Sequence, residues 1–122
     1  MTDHRAYAVF GVSLTDPSKY GTRIFKDMLA AGYQVYAVNP KGGEMFGNPV
    51  YKTLADIPAE VYGAILVVPP AALNGTVEQC IARGIKEIYF QPGARDPQAY
   101  QKAVAAGIDA VESCFMAENG LW

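Results

Sequence analysis

Ala8-Val9-Phe10-Gly11-Val12-Ser13, followed shortly by Pro17-Ser18-Lys19-Tyr20-Gly21, reads as a buried strand that ends in a glycine turn and leads into a helix. A helix start leaves backbone N–H groups without partners and carries the positive end of the helix dipole, so such a junction suits an anion such as a phosphate. The turn departs from the dinucleotide pattern G-x-G-x-x-G. After Gly11 the chain runs Val12-Ser13-Leu14-Thr15, and no glycine stands two residues on to let a pyrophosphate approach the backbone. These residues favour a nucleotide-like ligand over plain NAD.

Outward from that junction the apolar pattern repeats. Runs at Tyr7 to Phe10, Gln34 to Val38, Gly63 to Val68 and Glu87 to Phe90 are short and rich in β-branched or aromatic residues, and Ile108 to Val111 reads as a fifth. Near-continuous apolar character marks strands covered by helices on both faces of a parallel sheet. Between them lie helical stripes: Ile24, Phe25, Met28 and Leu29, closed by Gly32; Leu73, Val77, Cys80 and Ile81, closed by Gly84; Tyr100, Ala103 and Val104, closed by Gly107. The interval from Asn39 to Glu60 breaks this rhythm. Its Gly42-Gly43, Gly47, Pro49 and Pro58 leave room for a short helical turn around Thr53 to Asp56. The alternation predicts one α/β domain spanning residues 1–122, with a doubly wound parallel sheet of five strands in the order 3-2-1-4-5.

Bulk properties narrow the function. At 122 residues the chain suits one domain, and 51% apolar with 18% charged residues describes an ordinary globular protein. A net charge of −2 without a basic run argues against DNA or RNA as partner. No apolar run approaches the roughly 20 residues that span a bilayer, and no signal-type segment opens the chain, so a cytoplasmic protein without membrane partners is expected. Cys80 and Cys114 have no C-x-x-C spacing and His4 is the single histidine, so neither a metal site nor a redox motif is indicated.

In a doubly wound sheet, ligands bind outside the carboxyl ends of the strands, where the strand order reverses. The loops expected there carry Gly11-Val12-Ser13, Asn39-Pro40-Lys41, Pro69-Pro70, Gln91-Pro92-Gly93 and Ser113-Cys114. After the second strand, where NAD sites place a carboxylate for the ribose hydroxyls, stand a neutral amide and Lys41, which suit an extra phosphate on the ribose. Coenzyme A and NADP both carry one. Lys19 is placed to reach a pyrophosphate, with Ser13 adding a hydroxyl and the Gly21 end of the helix adding amides.

The segments Val9 to Ser13, Pro17 to Gly21, Gly32 to Lys41, Val50 to Leu54, Val67 to Pro70 and Gln91 to Ala94 follow one another in the order of a known family. The chain resembles the stand-alone coenzyme A-binding proteins, a Rossmann-like family related to the N-terminal domain of the succinyl-CoA synthetase α subunit. The resemblance implies a pyrophosphate along Gly11, Val12, Ser13 and Lys19, beside the helix start Tyr20-Gly21. It implies the adenosine end near Asn39, Pro40 and Lys41, the adenine or ribose against Val68, Pro69 and Pro70, and the pantetheine arm bordered by Gln91, Pro92 and Gly93. Phe115-Met116 after Cys114 departs from the proline or small residue usual in the family. The residues of the segment Ala117 to Trp122 carry none of this resemblance, and its terminal residues are expected to dock on a partner subunit.

Plainer readings stand beside these. Gly11 also serves a bare strand-to-helix turn, surface lysines are commonly just solvated, and Pro69, Pro70 and Pro92 also serve simply to end strands and start helices. Cys80 falls in an apolar stripe and belongs to the core; Cys114 is a candidate thiol, reactive only with access and a lowered pKa. His4 is read as solvent-exposed. No catalytic set of base, nucleophile and orienting partner assembles from these residues. The expectation is a non-catalytic module (a sensor, carrier or detached subunit, in a homo-oligomer or alone) that binds coenzyme A or an acyl-CoA. The rivals are an NADP-dependent oxidoreductase or NADP-binding regulatory domain, and a purely structural oligomer subunit.

Overall fold

Strand β1 (Ala6–Phe10) is buried along its whole length, because parallel neighbours flank it and helices cover both of its faces. The computed structural model describes residues 5–122; His4 lies outside them. β1 pairs on one side with β2 (Gln34–Val38) and on the other with β5 (Gly63–Leu66), in the registers Val9↔Ala37 and Val9↔Ile65. β6 (Glu87–Phe90) and β7 (Asp109–Val111) continue the sheet beyond β5, again parallel.

Alternate residues of β1 serve two separate cores. Tyr7 and Val9 pack with Ile24, Phe25 and Met28 of helix α1 (Tyr20–Ala30) and with Phe115 and Met116 of the short helix α4 (Phe115–Glu118). Ala8 and Phe10 pack on the opposite face with Leu73, Val77 and Cys80 of α2 (Pro70–Arg83) and Ala99 and Ala103 of α3 (Pro97–Ala105). Asp96 caps α3 by accepting from the Gln98 amide at 3.1 Å, and Pro70 and Pro97 begin their helices, where a missing N–H costs nothing. Gly32, Gly84 and Gly107 follow the three long helices at positive φ. Two stripe members do not reach the core: Ile81 and Val104 are exposed at 38% and 45%. In α3 the buried face is made of alanines instead.

The larger correction concerns strand number and order. The α/β, mostly parallel, Rossmann-like architecture stands, but with β3 (Glu44–Met45) and β4 (Asn48–Tyr51) the sheet has seven strands among the described residues, ordered β3-β4-β2-β1-β5-β6-β7. The interval read as loop holds β3 (Glu44–Met45) and β4 (Asn48–Tyr51), an antiparallel hairpin whose second strand pairs parallel with β2 through Ala37↔Val50 and Val38↔Tyr51. Pro49 is tolerated because it precedes the residues that pair with β2, while the Val50 amide donates to the Gly43 carbonyl at 2.8 Å. β4 takes the place beside β2 that the five-strand reading gives to residues 63–68, so β5 pairs with β1 instead. The six parallel strands run β4-β2-β1-β5-β6-β7, and the order reverses between β1 and β5. The expected helical turn is present as a short 3-10 turn at Leu54–Asp56.

The chain end packs on the chain itself. Trp122 docks on the chain's own helix α1: its indole N–H donates to Asp27 Oδ2 at 2.7 Å, the Arg23 guanidinium lies 4.7 Å from its ring, and the Tyr20 ring lies 5.5 Å away. The ring thus has a cation over its face and a carboxylate for its N–H, and it remains 43% exposed. Among the described residues, no helix is long and apolar enough to cross a membrane.

Candidate functional site

At the reversal point the backbone is drawn unusually close. Gly11 has φ +103°, and a Cβ there would lie 2.6 Å from the Val67 carbonyl oxygen; a Cβ on Gly21 would lie 2.5 Å from the Gly11 carbonyl oxygen. Neither position accepts a larger residue without moving backbone, so the start of α1 is held directly over the end of β1. Buried Thr22 fixes the intervening loop, its Oγ1 accepting from the Ser13 amide at 2.7 Å and donating to the Ser13 carbonyl at 3.2 Å. The Ser13 Oγ accepts from the amides of Thr15 and Asp16, which makes the side chain first an organiser of the loop.

Helix α1 begins here without a side-chain cap and without an acidic residue in its first turn. Its positive end therefore faces a cavity of about 350 Å³ bordered by Gly11, Val12, Ser13, Lys19, Tyr20 and Gly21, with Asn39 and Val67 closing it. Asp16, nearby in sequence, is not in this lining. Its carboxylate accepts from the Ser18 hydroxyl at 2.6 Å and the Ser18 amide at 3.0 Å, bonds that hold its pKa down.

Asn39 joins this cavity to a second one. Its Nδ2 donates to the Val12 carbonyl at 2.8 Å, its Oδ1 accepts from the Lys41 amide at 2.9 Å, and its own amide donates to the Tyr51 carbonyl at 2.9 Å. The Asn39 carboxamide thus ties the loop after β1 to the loop after β2, and its backbone amide ties the latter to the end of β4. The second cavity, about 130 Å³, shares Gly11 and Asn39 with the first. Pro40 and Val68 line it from opposite sides of the sheet reversal, with Lys52, Thr76 and Gln79 completing its polar wall.

The remaining candidates lie around this groove without lining it. Lys41 is exposed, as are Pro69 and Pro70 at the start of α2 and Pro92 and Gly93 after β6. Gln91 is fully buried: its Oε1 accepts from the Phe115 amide at 2.7 Å, and its Nε2 donates to the Tyr20 hydroxyl oxygen at 3.0 Å. That hydroxyl donates to Cys114 Sγ at 3.2 Å, so a polar chain runs from Gln91 through Tyr20 to the thiol. Partial burial of Cys114 opposes its ionisation, but hydrogen bonds from Tyr20, the Ala117 amide, Gln91 and the Met116 amide outweigh burial and bring its pKa below the ordinary cysteine value. For Cys80, buried in α2, desolvation alone pushes the thiol up to about 12.

Lys52, Thr76, Gln79 and Val67 are not among the site residues read from the sequence, although Lys52 and Val67 lie in segments that carry the family resemblance. Lys52 follows the last residue of β4, so it obeys the same rule that singles out the other loops. It was hidden because β4 itself was hidden.

The geometry so far defines a Rossmann-like domain with an anion-ready groove at the carboxyl edge of its sheet. The CoA binding domain family model matches residues 5–120, and the chain belongs to that family. It is 38% identical over 90 residues to the α subunit of acetate–CoA ligase [ADP-forming] I of Pyrococcus furiosus, a match covering 69% of this chain and 19% of that subunit. Among solved structures it is similar to a conserved hypothetical protein from Pyrococcus furiosus (TM-score 0.85, 33% identity, covering 93% of this chain and 98% of that one). It is also similar to a dinucleotide forming acetyl-coenzyme A synthetase of Ca. Korarchaeum cryptofilum in complex with phosphate and ADP, with a TM-score of 0.77 and 28% identity, over 88% of this chain and 25% of the synthetase. The chain thus spans about a fifth of the curated ligase subunit and a quarter of the synthetase.

Proposed function

We propose that this chain binds coenzyme A or an acyl-CoA as a module without catalytic groups of its own, with the pyrophosphate over the start of α1. The observation that carries the reading is the coincidence, in one cavity, of an uncapped helix start, two glycines that no larger residue can replace, and Lys19. The adenosine is assigned to the adjoining cavity, where Asn39, Pro40 and Val68 meet. The pantetheine arm is assigned toward the loop Gln91–Gly93, to which Tyr20 connects the cavity through its bond with Gln91. The ligase and synthetase activities of the similar proteins belong to much longer chains. The share matched here is a coenzyme-binding part, and its role as sensor, carrier or subunit is read from that.

Isothermal titration with coenzyme A, NADP and NAD tests this reading. Coenzyme A is expected to bind most tightly, and Lys19→Ala to weaken it about tenfold, the worth of one charge-assisted contact, with the melting temperature unchanged. Tight NADP binding without a response to coenzyme A overturns the proposal, as does full affinity in Lys19→Ala.

A further inference from the structure

Tyr20, the first residue of α1, borders the larger cavity and is held from behind by three side chains that border neither cavity. Its hydroxyl accepts from Gln91 Nε2 at 3.0 Å and donates to Cys114 Sγ at 3.2 Å, while its ring lies 5.5 Å from the ring of Trp122. The first two partners belong to a fixed frame. Gln91 is fully buried, its Oε1 accepts from the Phe115 amide at 2.7 Å, and Phe115 and Met116 are buried in the core beneath α1.

Trp122 is held differently. The Leu121 amide donates to the Met116 carbonyl at 2.8 Å, and the indole then reaches across to α1, where Asp27 takes its N–H and Arg23 lies over its ring on the exposed surface of the protein. A few residues attached through one helical turn and surface contacts open locally at a small fraction of the cost of global unfolding. Docked, they cover the Tyr20 ring; released, they leave it held by its hydroxyl. A wall residue fixed before a ligand arrives adds no ordering cost to binding.

We propose that residues 119–122 form a strap coupled to the groove: Trp122, by packing on Tyr20, positions the wall of the larger cavity, and an occupied cavity in turn holds the strap on α1. The inference rests on the reading that coenzyme A lies in this groove. Linkage makes the coupling reciprocal, so the factor by which the docked strap tightens the ligand equals the factor by which the ligand favours the docked strap. Trp122 is a positioning residue acting through Tyr20.

The test joins calorimetric titration of coenzyme A with hydrogen exchange of the peptide that carries residues 119–122, with thermal melts as the check on folding. Trp122→Ala is expected to weaken coenzyme A about fivefold, the worth of one aromatic pair, and Trp122→Phe, which keeps a ring against Tyr20, to recover most of the loss. In the parent, saturating coenzyme A slows exchange at the Leu121 amide by the same factor, and the emission of Trp122, the single tryptophan, changes with the midpoint of the calorimetric isotherm. Full affinity in Trp122→Ala, or strap exchange in the parent that saturating coenzyme A leaves unchanged, overturns the coupling while leaving the groove as the binding site. A parent chain that binds no coenzyme A overturns the reading of the groove, and the coupling with it.

Discussion

The two edges of the sheet differ in a way that cavity size does not predict. A cavity of about 960 Å³, larger than either half of the groove, lies at the amino edge, bordered by Arg5, Arg83 and Lys86 together with Glu60 and Tyr62. Arg83, the best anchored of those cations, is already engaged. It donates to the carbonyls of Leu54, Ile57 and Ala59, closing the loop after β4 onto α2. Arg5 lies 4.6 Å from the Tyr62 ring, and the Glu60 carboxylate shares the same rim. The carboxyl edge has less volume, but its helix start has no capping side chain and its two lysines face no carboxylate in the lining. The proposed site therefore rests on uncommitted donors and not on empty space.

Gly21→Ala puts the most strain on this contrast. Its Cβ would fall 2.5 Å from a backbone oxygen that cannot move without reshaping the β1–α1 turn. A loss of about 3 kcal/mol in denaturant-determined stability is expected, together with loss of coenzyme A binding. Parent-like stability and affinity would mean that the close approach of α1 to β1 is not what builds the cavity.

Arg83→Ala sharpens the contrast from the other edge. Removing donors from three carbonyls is expected to cost about 2 kcal/mol of stability while leaving coenzyme A affinity at the parent value. A fall in affinity in a variant still folded at the assay temperature would move the ligand to the amino edge.

The two thiols give the smallest and most local comparison. Cys114, beside the groove, has a lowered pKa, so its thiolate fraction is higher at a given pH and its alkylation by iodoacetamide should reach half-maximal rate at a lower pH than an ordinary cysteine. Cys80, held at about 12 and buried, should stay unmodified until the chain unfolds. Tyr20→Phe removes the hydroxyl that donates to Cys114 and is expected to shift its profile upward. Peptide mass spectrometry over a pH series reads all three, and equal labelling of both cysteines in the folded chain would contradict the burial and hydrogen bonding described.

The β1–Gly11–α1 junction was legible because its signals are local: an apolar run, a glycine and a helical stripe lie within two dozen residues. Gly11, Lys19 and Asn39 could be placed from the same pattern, and the structure brings all three to one cavity. β4 was not legible. Pro49 and the neighbouring glycines are breakers by local preference, and what makes a strand of Asn48–Tyr51 is pairing with β2, ten or more residues away in sequence. Without that strand, nothing placed Lys52 at the groove. Gln91 looked like a loop residue open to ligand, yet its side chain is sealed between Tyr20 and the Phe115 amide, partners 71 and 24 residues distant.

The sequence by itself determined the alternation of strands and helices, the family and the glycine turn from β1 into α1, because periodicity, turn chemistry and helix polarity act over short stretches of chain. Tertiary structure decided which strand lies beside β2, which lysine enters the groove, and that Trp122 closes on its own helix α1. Those outcomes depend on hydrogen bonds and packing between distant segments, whose energies no single stretch of sequence contains.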